Sequence, residues 1–92
     1  MDLIIPTLWK VPSFPETLRS YSECPRVNKI IVIDNDYSNR PNLELEKVEY
    51  ACFGRNIFVN PAWNEGYWRA SADIIGILND DIAVRPEVFE FV

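Results

Sequence analysis

The chain contains no histidine. That excludes Ser-His-Asp and Cys-His catalysis and any zinc ion held by imidazole. Its two cysteines, Cys24 and Cys52, lie far apart without metal-ligand spacing, which favours free buried thiols in a reducing, cytoplasmic compartment over a disulfide. No apolar run is long enough to span a bilayer, and the start, MDLIIP, lacks the basic residues and long apolar core of a secretory signal. Basic clusters are missing too. Nine Lys and Arg against fourteen Asp and Glu give a net charge of −5, which disfavours nucleic acid as the main partner. An anionic ligand then needs local help, from backbone amides or a metal ion. There is no internal repeat and no low-complexity segment.

What is present is a chain of 92 residues, 48% apolar, read as a single globular domain over 1–92. At that size folding buries only roughly 60–65% of the unfolded surface, so the core is modest. Leu3-Ile4-Ile5, closed by Pro6, reads as a short buried strand. Ser13-Phe14-Pro15-Glu16 has capping-box spacing with proline in the first turn; Phe14, Leu18 and Tyr21 then recur at helical spacing until Pro25. The run from Lys29 to Asp34 carries four consecutive β-branched apolar residues, as in a strand covered on both faces of a parallel sheet. Residues 38–54 show no clear pattern; Leu43, Leu45 and Val48 suit a loop or a short helix. The spacing predicts a third strand over 56–60, a helix within 61–72 opening near Asn64, a fourth strand over 74–78, and a last helix from Pro86. Strands and helices that alternate in this way imply a parallel α/β sheet with right-handed crossovers.

Polar residues collect where these strands end: Pro6-Thr7, Asp34-Asn35-Asp36, Asn60 and Asn79-Asp80-Asp81. In open α/β sheets ligands bind beyond the carboxyl ends of the strands, although strand ends that simply reach water are polar as well. If the last strand continues through its polar end, alternation turns Asn79 and Asp81 to one side and Asp80 to the other. Two oxygen ligands so placed suit a hard cation such as Mg²⁺ or Mn²⁺, which could bridge to a diphosphate.

The stretch NEGYWRASADIIGILNDD, from Asn64 to Asp81, resembles the N-x-G…A…G…L-D-x-D-D signature of family-2-type glycosyltransferases of the GT-A fold. IIPTLWK resembles the I-I-P-T-Y-N opening of that family, and IIVIDNDYS its V-V-D-D-G-S element; the three come in family order and cover the chain. The resemblance implies a GT-A-like, Rossmann-like parallel sheet of about four strands in the order 3-2-1-4, ending after the D-x-D strand, and a nucleoside-diphosphate-sugar site of UDP type. By motif position Pro6 and Thr7 flank the nucleobase, and Asp34 accepts a hydrogen bond from a uracil-type imide. Asn64 and Gly66 lie near ribose and diphosphate at a helix N-terminus, Asn79 faces ribose or metal, and Asp81 ligates Mg²⁺ or Mn²⁺. Each has a plainer alternative: Thr7 as a turn residue, Asp34 and Asn35 as loop caps, Asn64 as an ordinary N-cap. Trp63, Tyr67 and Trp68 read as core or helix-surface residues rather than a sugar platform.

Asn79 stands where the family has Asp, which removes one charge, and Ala72 stands where it has Gly. No counterpart of the family's acceptor-binding half or of its general base is identifiable, so the catalytic residue is unassigned. The expectation is a donor-binding half-domain that self-associates or takes a second chain against a tail of Val88, Phe89, Phe91 and Val92. Two other readings fit the same residues: a non-catalytic interaction module with the same fold, and a flavodoxin-like receiver holding Mg²⁺ at acidic strand ends.

Overall fold

The computed structural model describes residues 1–91. Four strands, β1 (Asp2–Thr7), β2 (Lys29–Asp34), β3 (Val48–Cys52) and β4 (Ile75–Ile77), form one sheet in the order β3-β2-β1-β4. Every pairing is parallel. The order 3-2-1-4 is the one expected from sequence. A flavodoxin-like sheet would place β1 between β2 and β3; here β1 lies between β2 and β4, so the receiver topology is excluded.

The two central strands are apolar on both sides because both sides are covered. Leu3, Ile5, Ile30 and Val32 face helix α1 (Phe14–Ser22), whose Phe14, Leu18 and Tyr21 are all buried. Ile4, Ile31 and Ile33 face helix α2 (Val59–Arg69) with Ala51, Ile57 and Ala62. Gly66 lets α2 approach the sheet: a Cβ there would run into the side chain of Ile4. The first helix begins after Ser13 as its sequence predicts, but no side-chain cap forms; the Thr17 hydroxyl instead donates to the Ser13 carbonyl.

The third strand is a correction. It is Val48–Cys52, inside the stretch without a clear pattern, and not 56–60. Val48-Glu49-Tyr50-Ala51-Cys52 lies on the sheet edge, so it mixes charge with apolar residues and lacks the continuous apolar run of a central strand. Val59 and Asn60 belong instead to the first turn of α2, which Pro61 tolerates because the first-turn N–H groups have no helical partner. The thiols also divide: Cys24 is buried but Cys52, at the end of this edge strand, is exposed, and both are free.

After β4 a short 3₁₀ segment, α3 (Pro86–Phe91), turns Phe89 inward edge-to-face on Tyr21. The Tyr21 hydroxyl donates to the Ile82 carbonyl and accepts from the Val84 N–H, so α1 ties down the chain that leaves β4. Val88 and Phe91 of the expected tail are exposed, and Val92 lies outside the described residues. Among the described residues no helix is long and apolar enough to cross a membrane.

Candidate functional site

Parallel register brings Thr7 opposite Asp34, so the carboxyl ends of β1 and β2 finish side by side. The Thr7 hydroxyl accepts from the Trp9 N–H (2.9 Å) and donates to Asp80 Oδ2 (2.7 Å). Asn35 donates its N–H to the Thr7 carbonyl and accepts from the Ile57 N–H through Oδ1 (3.1 Å). Three strand ends and the loop before α2 are thus stitched together by side chains.

A cavity of about 280 Å³ opens at this edge. Thr7, Asn35, Asn56 and Asp80 give it polar groups, Lys10 gives it a cation, and Phe58 is part of its rim. Pro6 lines it too, as the sequence suggests for the β1 end. A smaller cavity of about 130 Å³ adjoins it, lined by Asp34, Asn35, Gly54 and Arg55 among others. Asn35 is a wall of both. The larger cavity sets Lys10 against Asp80 and the smaller sets Arg55 against Asp34 and Asp36, so neither lining is net positive and an anion there needs a further cation.

Asp34 is the least ordinary residue of the edge. It is 1% exposed, and Oδ1 accepts from Trp9 Nε1 (2.9 Å) and from the Asp36 N–H (3.1 Å). The second contact is the loop-capping role anticipated as the plainer alternative. Oδ2 is buried and has no hydrogen bond; it is faced only by Arg40 Nε at 3.4 Å. The Arg40 guanidinium lies over the Tyr50 ring, 4.4 Å from its centroid, and the Trp9 ring packs on both Phe14 and Tyr50. Next along, Asp36 accepts from Ser38 Oγ and Asn39 Nδ2, which hold its carboxyl below the ordinary value despite some desolvation.

Two residues beside the site have backbone conformations that side chains avoid. Trp9 has φ 60°, and Phe58 has φ 67° with ψ 177°. The second region belongs almost to glycine alone, and such strain costs about 1–3 kcal/mol per residue. The Asn56 side chain accepts from the Phe58 N–H (2.7 Å) and holds the turn.

Other assignments from sequence do not gather here. Helix α2 opens at Val59, five residues before Asn64, so Asn64 and Gly66 lie in its interior; Asn64 is exposed and Gly66 packs on Ile4. Neither lines a cavity at the strand ends or stands at a helix N-terminus. Strand β4 stops at Ile77, and Asp80 and Asp81 lie in a turn. Alternation therefore does not carry through the acidic cluster: Asp80 reaches Thr7, while Asn79 and Asp81 are exposed. Among the described residues no three His, Cys, Asp or Glu side chains come together as a metal cage. Tyr67 and Trp68 are on the helix surface, as expected, and Trp63 is partly buried with Nε1 donating to the Leu78 carbonyl (3.4 Å).

Trp9, Arg40, Asn56 and Phe58 were not singled out from sequence, and Asp80 was expected to turn away from the site that Asn79 and Asp81 face. Only Phe58 had a readable signal: Pro61 close behind it marks a helix start, and hence a turn rather than a strand at 56–58. No protein-family model, curated protein or solved structure matches the chain.

Proposed function

We propose that the chain is a donor-binding domain of the glycosyltransferase type, which holds a nucleoside-diphosphate sugar, with uridine as the nucleoside, at the carboxyl edge of its sheet. The activity that such a site serves is transfer of the sugar to a hydroxyl acceptor. The order 3-2-1-4 and the position of three polar strand ends support the reading, because doubly wound sheets take nucleotides at this edge.

The observation that carries it is Asp34. Its buried Oδ2 has the charge of Arg40 at 3.4 Å but no hydrogen bond, and a ligand N–H would supply the missing one. Uracil has an imide N–H at the required place; cytosine has a lone pair there, which the carboxylate repels. Arg40, whose side chain is 35% exposed, covers that oxygen and is the group a base would have to displace. Lys10 and Arg55 are the basic side chains a diphosphate meets here, and Asp34, Asp36 and Asp80 leave most of its charge to a bound cation.

The donor set fits a divalent cation shared with the ligand and not one held by protein alone. Mg²⁺ commonly rests on one or two carboxylates and completes its shell with phosphate oxygens and water. In this reading Asp80 is the protein ligand, in place of Asp81 and Asn79, and the cation neutralises the diphosphate. Calorimetric titration with UDP and CDP in the presence of Mn²⁺ tests the reading. UDP should bind tighter by about a hundredfold, since a site built for a hydrogen-bond donor strongly rejects an analogue without one. Equal affinity for the two nucleotides would rule it out.

A further inference from the structure

The two outer strands of the sheet are not guarded alike. On β3, Glu49 pairs with Lys29, the Val48 N–H turns back to the Leu45 carbonyl, and the Tyr50 hydroxyl ties down the preceding loop through the Leu43 carbonyl. Charges and a covering loop are the usual protection of a sheet edge. Strand β4 has neither. Ile75-Gly76-Ile77 carries no charge and no proline, and among the described residues no strand lies beyond it. The Asp2 N–H donates to the Ile74 carbonyl, and the Leu78 N–H donates to the Ile4 carbonyl. Alternation along the strand therefore turns the N–H and C=O groups of Ile75 and Ile77 to the open side. Apolar surface flanks them: Ile74 and Ile77 are 42% and 54% exposed. Tyr67 is exposed as well, one turn after Trp63 on the flank of α2 that reaches Leu78.

The residues at this edge say what covers it. Ile74-Ile75-Gly76-Ile77-Leu78 reads almost the same in both directions. Laid antiparallel on a second copy about Gly76, Ile75 meets the partner's Ile77 and Ile74 meets the partner's Leu78. Hydrogen bonding requires the same register, because Ile75 and Ile77 are the residues with outward groups, and each such pair exchanges both bonds. Gly76 then faces the partner's Gly76 in the closer, non-hydrogen-bonded kind of pair. Charge agrees too: Asp73, just outside one strand end, comes to the partner's Asn79 and not to a carboxylate. Neither cavity at the strand ends has a wall in β4, so both stay open in such a pair.

We propose that β4 pairs antiparallel with β4 of a second copy, giving a two-fold dimer with one continuous sheet. The proposal does not rest on the nucleotide reading, and it moves the contact expected at the Val88–Phe91 tail to the strand edge. A three-residue strand with this flank belongs among interfaces below about 1,200 Å², so the dimer should be of the micromolar class. Sedimentation equilibrium from about 5 to 500 µM, with hydrogen exchange measured over the same range, tests it. The average mass should climb towards twice that of the monomer. Ile77→Lys, a change at an exposed side chain, should weaken association by at least about tenfold and leave the melting temperature of dilute protein unchanged. Phe91→Lys should leave association as it is. Exchange of the Ile75 and Ile77 N–H groups should slow as concentration rises, while Leu78, bonded to β1, is protected throughout. A monomer across the whole range would overturn the proposal. So would a dimer weakened by Phe91→Lys and not by Ile77→Lys, or one that leaves exchange at Ile75 and Ile77 unchanged.

Discussion

The sheet carries a buried carboxylate at each end, and the two are treated differently. At the amino end of β1, Asp2 is 0% exposed and fully engaged. Its Oδ1 accepts from Asn28 Nδ2 (3.1 Å), and its Oδ2 accepts from the N–H groups of Ser71 (2.7 Å) and Ala72 (3.0 Å). It binds the turn after α2 to the start of the sheet, and nothing is left for a ligand. At the carboxyl end of β2, Asp34 is equally buried but leaves one oxygen without a hydrogen bond. Burial is alike at the two ends and satisfaction is not: Asp34 Oδ2 has the charge of Arg40 at 3.4 Å where Asp2 has hydrogen bonds to both oxygens. A closed set of partners contributes stability, whereas an open one gives up stability for a contact that arrives later.

The largest expected effect is at the closed end. Asp2→Ala leaves two backbone N–H groups and an amide without their acceptor, and should cost about 3 kcal/mol in urea unfolding, without changing UDP affinity in the folded fraction. Asp34→Asn should do the reverse. It keeps the shape and removes the charge, so stability should move by about 1 kcal/mol or less, while UDP affinity falls by at least about tenfold. If both substitutions cost the same stability and neither touched binding, the contrast between the two ends would be gone.

The pH dependence sharpens the same contrast. Burial pushes against ionisation of Asp2, but the Ser71 and Ala72 N–H groups, the Asn28 amide and the charge of Lys29 outweigh it, so its carboxyl lies below the ordinary value. A depressed folded-state value means stability that is fully present above the unfolded-state value, about 3.9, and lost as pH falls through the folded-state one. The stability gap between wild type and Asp2→Asn should therefore be constant near neutrality and close below about pH 4. A gap that widened on acidification would have the wrong sign. The smallest effect is expected in the acidic turn: Asp80→Asn should weaken Mn²⁺-dependent UDP binding several-fold, about 1 kcal/mol, and Asp81→Asn should leave it unchanged. The opposite ranking would restore the arrangement that strand alternation predicts.

That last pair shows where the sequence could be read and where it could not. The central strands and the convergence of Pro6, Thr7 and Asp34 on one edge follow from continuous β-branched runs and alternating elements, strong signals because both faces of β1 and β2 are buried, whereas the strand order came from the family resemblance together with right-handed crossovers. The edge strand β3 and the bounds of β4 and α2 were not legible, because a half-exposed strand has no continuous run and a turn can begin without glycine or proline. The error at Asn79 and Asp81 came from extending a period-two pattern past Ile77, where pairing with β1 ceases after the Leu78 N–H. Gly66 matched a motif, yet its place is explained by the close approach of helix to Ile4. Two of the three partners of Asp2, Ser71 and Ala72, sit some seventy residues away and left no local trace.

Asn35 belongs to both cavities and holds two chain segments at once, the Thr7 carbonyl through its N–H and the Ile57 N–H through Oδ1. The two cavities therefore share one wall, and its shape is set by the ends of β1 and the turn before α2 together. Asn35 is 7% exposed and already held at both ends, so neither cavity can widen at this wall without loosening the bond that shapes the other.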